Sequence, residues 1–188
     1  MQPPDIVLAH WHEFYTLLGT AAAALVALLF VAASIASGFL NPARAGAVRT
    51  YMSPVVFHYA AVLFASLIAL VPTQTLQSLG LSIGLLGAGG AIYSIFIVVR
   101  LFRDDVPDLA DHLGYGALPL AAYAAVLVAA WLLTHGAQSS VYVVAGSFLL
   151  LLMVNIRNAW DLTLAFIKRQ SEVRASAAQA GASQPPSP

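Results

Sequence analysis

The chain has 188 residues, 60% of them hydrophobic and only 9% charged, with eight basic and eight acidic side chains. Soluble domains carry roughly 25% charged residues, so this is the composition of an integral membrane protein. A formal net charge of zero offers nothing to nucleic acid, and the absence of cysteine removes disulfides, thiolate metal sites and cysteine nucleophiles.

The architecture follows from where charges are missing. No Asp, Glu, Lys or Arg occurs from Phe14 to Ala43, from Thr50 to Val99, or from His112 to Ile156, runs of 30, 50 and 45 residues. A bilayer span needs roughly 20 apolar residues, so the runs predict one, two and two transmembrane helices. The expected fold is all-α: an integral membrane bundle of five transmembrane helices over residues 14–172. Residues 1–13 form an extracytoplasmic tail, and residues 173–188 a disordered cytoplasmic tail rich in Ala, Ser, Gln and Pro.

Met1 to Glu13 lacks the basic region of a secretory signal, so the first helix is expected to be a retained anchor. That helix covers Phe14 to Phe39 and stops before Asn41-Pro42. Its stripe Thr16, Thr20, Ala23, Ala27, Val31, Ser34 and Gly38 is small enough for another helix to approach, and packing is what joins helices in lipid. A second helix starts at Ser53-Pro54, a cap followed by a first-turn proline, and ends near Val71-Pro72. The third covers Leu79 to Arg100, with its own small stripe of Gly80, Gly84, Gly87, Ala91 and Ser94. These stripes pack helices within the chain or form a homodimer face, and Ala23, Ala27, Gly80, Gly84 and Gly87 are the candidate packing positions. Helix four covers Gly116 to Thr134, and helix five runs from Val141 past the membrane to Glu172.

The eight basic residues then orient the bundle. Arg44, Arg49, Arg100, Arg103, Arg157, Lys168, Arg169 and Arg174 all fall in every second connection or in the C-terminal segment. The positive-inside rule places those segments in the cytoplasm, so the N-terminus is expected outside and the C-terminus inside.

Few polar groups interrupt this pattern. Asn155, Arg157, Asn158 and Asp161 cluster at the inner end of helix five, where Arg157 and Asp161 are i,i+4 neighbours. They are either an interfacial anchor beside Trp160 or a functional group held at a cost inside the membrane. His58, placed one turn inside helix two at similar depth, packs against a neighbour or relays protons. Ser66 and Tyr93 are possible additions to such a track. The acidic stretch from Asp104 to His112 reads as a solvated loop, and His10 and His12 lack further ligands, so neither metal nor cofactor is expected. HExxH, P-loop and GxGxxG patterns are all missing from the sequence.

Two stretches carry a resemblance. Trp11-His12-Glu13-Phe14-Tyr15-Thr16-Leu17-Leu18-Gly19-Thr20-Ala21, running into Leu28-Leu29-Phe30-Val31-Ala32, resembles the opening of a set of uncharacterised bacterial integral membrane proteins. Ile156-Arg157-Asn158-Ala159-Trp160-Asp161-Leu162 resembles their last helix. The resemblance implies a multi-pass protein of the bacterial inner membrane and no particular activity. The functional expectation is a non-enzymatic accessory or scaffolding subunit. Its partners would be the lipid bilayer and a second copy or another membrane subunit. The alternative is a small oligomeric channel or transporter with its polar groups at the inner mouth.

Overall fold

The computed structural model describes residues 8–37, 45–103 and 112–182, and these form helices and turns without a strand. In chain order the helices are α1 (His12–Ser37), α2 (Ala45–Ala69), α3 (Leu76–Arg103), α4 (Leu118–Thr134) and α5 (Ser140–Ala182), with a π-helical turn, His112–Ala117, leading into α4. In lipid every backbone N–H and C=O must be satisfied within the segment, which is why apolar runs of this length fold as helices. Four stretches are long and apolar enough to cross a membrane: His12–Ser34, Leu76–Arg103, His112–Thr134 and Ser140–Ala165. The apolar stretch of α2, Ser53–Ala69, is shorter.

Local chemistry sets the helix ends. At the start of α3, the Ser78 N–H donates to Thr75 Oγ1 at 3.1 Å while the Thr75 N–H donates to Ser78 Oγ at 2.9 Å. This reciprocal cap starts the helix at Leu76, one turn earlier than hydropathy suggests. At the end of α4, Gly136 takes a φ of +84°. The Gly136 N–H bonds the Leu133 carbonyl and the Ala137 N–H bonds the Leu132 carbonyl, both at 3.0 Å, a glycine-closed C-cap.

Two boundaries depart from the sequence reading. Helix two begins at Ala45 rather than Ser53, so Pro54 lies buried inside it. Membrane helices tolerate an interior proline because neighbours and local adjustment satisfy the freed carbonyl. Helix five continues beyond Glu172 to Ala182, where a disordered tail is expected. The alanine-rich run there has high helix propensity, which composition alone had suggested as tail. The acidic segment 104–111, residues 1–7 and the end of the tail, 183–188, lie outside the described residues.

α2, α3, α4 and α5 close a ring in which each packs on the next, and α5 returns to α2. α1 stands outside the ring against α2, touching α5 at one edge. The core fills the ring with Val55, Val62, Ile83, Tyr123, Val126, Phe148 and Leu151, all buried. α3 and α4 approach most closely, because the α3 glycines are its contact surface. A Cβ on Gly80 would lie 2.8 Å from the Ala130 carbonyl, and one on Gly87 would lie 2.8 Å from Val126 Cγ1.

Candidate functional site

Of the candidate packing residues, Gly80 and Gly87 are buried against α4, and Gly84 faces the Ala130 methyl at 3.3 Å from an added Cβ. The α1 stripe is placed differently. Tyr15, Leu18, Ala22 and Leu29 are the residues α1 buries, with Gly19 against Ser66 of α2. At 100° per residue the stripe lies on the opposite side. Thr16, Thr20, Ala23, Ala27, Val31 and Ser34 are all exposed. The hydroxyls of Thr16 and Thr20 donate to the carbonyls of His12 and Thr16, each at 2.8 Å, and Ser34 bonds Phe30 likewise. This face is smooth, small and internally satisfied.

The polar candidates divide by the same helical geometry. Asn155 and Asn158, three apart, share the inner face of α5 and are buried. Arg157 and Asp161 lie on the outer face. Their side chains are 53% and 46% exposed, and Arg157 Nη2 sits 3.7 Å from Asp161 Oδ2. An exposed pair of this kind contributes about 0–1 kcal/mol. It does not include His58.

His58 instead lies deep in the ring. Because α2 starts at Ala45, His58 falls near the middle of that helix rather than one turn from its end. It is buried, and its Nδ1 lies 2.9 Å from the Tyr123 hydroxyl. Tyr123 is central in the stretch His112–Thr134. α2 and α4 face one another across the ring, so this hydrogen bond spans the bundle axis. Aromatic rings enclose it: His58 and Tyr93 centroids are 6.1 Å apart, and Phe57 stacks on Tyr93 at 4.1 Å. Space for the Tyr123 ring comes from Gly90, where an added Cβ would fall within the ring itself.

A second buried contact lies toward the far end of α4. Asn158 Nδ2 donates to the Gly114 carbonyl at 2.9 Å, and the Tyr115 hydroxyl donates to the Asn158 carbonyl at 3.2 Å. Pro119 explains the irregular backbone here. It has no N–H for the carbonyl four residues back and its ring crowds that carbonyl, so the preceding turn widens to π. Turns of this kind recur at functional sites.

Several buried polar atoms have no hydrogen-bond partner in the protein: Tyr15 Oη, His58 Nε2, Tyr59 Oη, Ser94 Oγ and Asn155 Oδ1. Each costs about 1–3 kcal/mol if left bare. Ser66, by contrast, bonds its own helix at the Val62 carbonyl. Among the described residues no group of three or more His, Asp or Glu is placed to hold a metal ion. Sequence reasoning missed Tyr123, Gly90 and the Gly114-Tyr115 pair. The available signal was a tyrosine set among four alanines at mid-span, with an extra glycine on the helix opposite. Comparison with protein-family models, curated proteins and solved structures gives no match.

Proposed function

We propose that this chain is a five-span protein of a bacterial inner membrane, N-terminus outside and C-terminus inside, acting as a non-enzymatic accessory or scaffolding subunit. The observation that carries this is the free face of α1. The α3 stripe is consumed within the chain, whereas the α1 stripe points away from it and offers another membrane helix a close approach. Aromatic belts support the placement in a bilayer. Tyr142 and Trp160 on α5 are both exposed and stand about 27 Å apart along the helix, close to the roughly 30 Å hydrocarbon core. In this reading Arg157 and Asp161 sit at the headgroup edge. α5 has 43 residues, about 65 Å of helix, and its excess projects as an arm on the side of its basic residues.

The cysteine-free sequence makes the test direct. Single cysteines at Ala23 and Ala27 should form crosslinks in native membranes, while one at Leu28, on the flank of α1, should not. A product of twice the 19.7 kDa chain mass identifies a second copy; any other added mass identifies a different subunit. Equal labelling without crosslinks at all three positions overturns the reading. A second reading, the small oligomeric channel or transporter, draws on the polar groups at mid-span. It requires flux in liposomes, which a scaffold does not.

A further inference from the structure

His58 divides the bundle axis into two halves of different chemistry. Toward the α2–α3 turn, the buried side chains of the ring include Val62, Ile83, Val126, Leu133, Val144 and Phe148, all apolar. Ser66 and Ser147 on that half turn their hydroxyls back to their own helices, and buried Ser140 lies at its far end in the first turn of α5. Toward the other end the ring buries Ser94, Asn155 and Asn158. Their levels follow from the packing. Gly90 lies against Tyr123 and Gly116 against Val98, so Ser94 is one turn from the His58–Tyr123 level on that side. Asn158 is level with Gly114, and Asn155 lies one turn further inward. The order from the end to the middle is therefore Asn158, then Asn155 and Ser94, then His58.

Four polar atoms at the His58 level or on this half lack a protein partner: His58 Nε2, Tyr59 Oη, Ser94 Oγ and Asn155 Oδ1. Buried polar groups in native proteins are paired with protein or with ordered water, and buried waters gather at otherwise unsatisfied groups. The donor set selects the ligand. Among the described residues no buried side chain is a carboxylate, lysine or arginine, so a neutral hydrogen-bonding molecule fits and a bare ion does not. The polar groups on elements around His58 are Tyr59 beside it on α2, Tyr123 of α4, Tyr93 and Ser94 of α3 and Asn155 of α5; Tyr15 of α1 lies beyond the Gly19–Ser66 contact, away from His58. The charges of Arg100, Arg157 and Asp161 stand exposed at the Asn158 end.

We propose that the half-axis from Asn158 to His58 binds a file of water molecules, and that His58 is the proton-binding group at its closed end. With Nδ1–H donating to the Tyr123 oxygen, Nε2 presents its lone pair. A proton carried by the file binds there, and the apolar half beyond blocks onward transfer. This goes beyond the accessory role and does not depend on it.

Deuterium exchange at the imidazole C2–H, read by mass spectrometry on the full chain in lipid nanodiscs, tests the proposal. The reaction needs water at the ring, and exposed His135 is the reference in the same sample. His58 should exchange measurably. Asn155→Leu and Ser94→Ala should each slow its exchange while leaving His135 exchange unchanged and the protein cooperatively folded. Ser94→Ala removes only a hydroxyl, so it keeps the test decisive if Asn155→Leu misfolds. No exchange at His58 while His135 exchanges overturns the proposal, as does exchange that neither folded variant slows.

Discussion

Two neighbouring glycines of α3 are present for different reasons. At Gly90 an added Cβ would fall within the Tyr123 ring, whereas at Gly89 nothing lies within 4 Å. Gly90→Ala must displace the ring and with it the hydrogen bond to His58, so a loss of roughly 1–3 kcal/mol is expected. Gly89→Ala only exchanges a poor helix former for a good one and should stabilise by up to about 1 kcal/mol. Thermal unfolding of the two variants in detergent checks this, and equal midpoints would refute the close approach at Gly90. The same pair shows what was legible at this scale. The stripe Gly80, Gly84 and Gly87 could be read from spacing. Gly90 lies off that stripe, and its role depends on a ring that reaches it from α4. Likewise Asn155 and Arg157 look like one cluster in the sequence. The 100° step per residue puts one toward the ring and the other on the exposed face.

Elements differ in how much of their backbone the surroundings must complete. The π turn before α4 depends on α5, since Asn158 supplies the donor for the Gly114 carbonyl and takes the Tyr115 hydroxyl on its own carbonyl. Asn155 is different: its Nδ2 donates to the Leu151 carbonyl of its own helix at 2.7 Å. Asn158→Leu should therefore cost about 1–3 kcal/mol by stranding a buried carbonyl. Asn155→Leu, which strands nothing on a neighbour, should cost less. Denaturant or thermal unfolding of both ranks them, and the reverse order would mean that the π turn stands without α5. The four long apolar helices were readable because charge is nearly forbidden in hydrocarbon. The start of α2 was not. Ser53-Pro54 has the form of a cap and first-turn proline, and only the packing of the bundle shows the proline inside the helix, with His58 carried to the middle of α2. An α2 that begins at Ala45 also explains how a stretch with only Ser53–Ala69 as its apolar part packs alongside longer neighbours.

At the scale of the molecule the proposed five-span topology turns on whether α2 crosses the bilayer, and both charge and packing support crossing. If α2 were re-entrant and the N-terminus outside, α3 would start on the cytoplasmic side. Arg100, Arg103 and Arg157 would then emerge outside, against the positive-inside rule. If it crosses, all eight basic residues share one side. Packing agrees with crossing, because α2 buries Val55, His58, Tyr59, Val62, Ala65 and Ser66 against its neighbours α1, α3 and α5, and its His58 reaches Tyr123 at the middle of a full-length apolar stretch. Topology reporters placed at Thr73, in the α2–α3 turn, and at Gln138, before α5, should both report outside, and one at Arg169 should report inside. The re-entrant arrangement inverts all three positions, so a cytoplasmic signal at Thr73 with an external one at Arg169 would replace the five-span topology by a four-span one. The inversion would also move the Asn158 end of the polar axis to the outer face. The same three fusions therefore decide from which compartment water and protons reach His58.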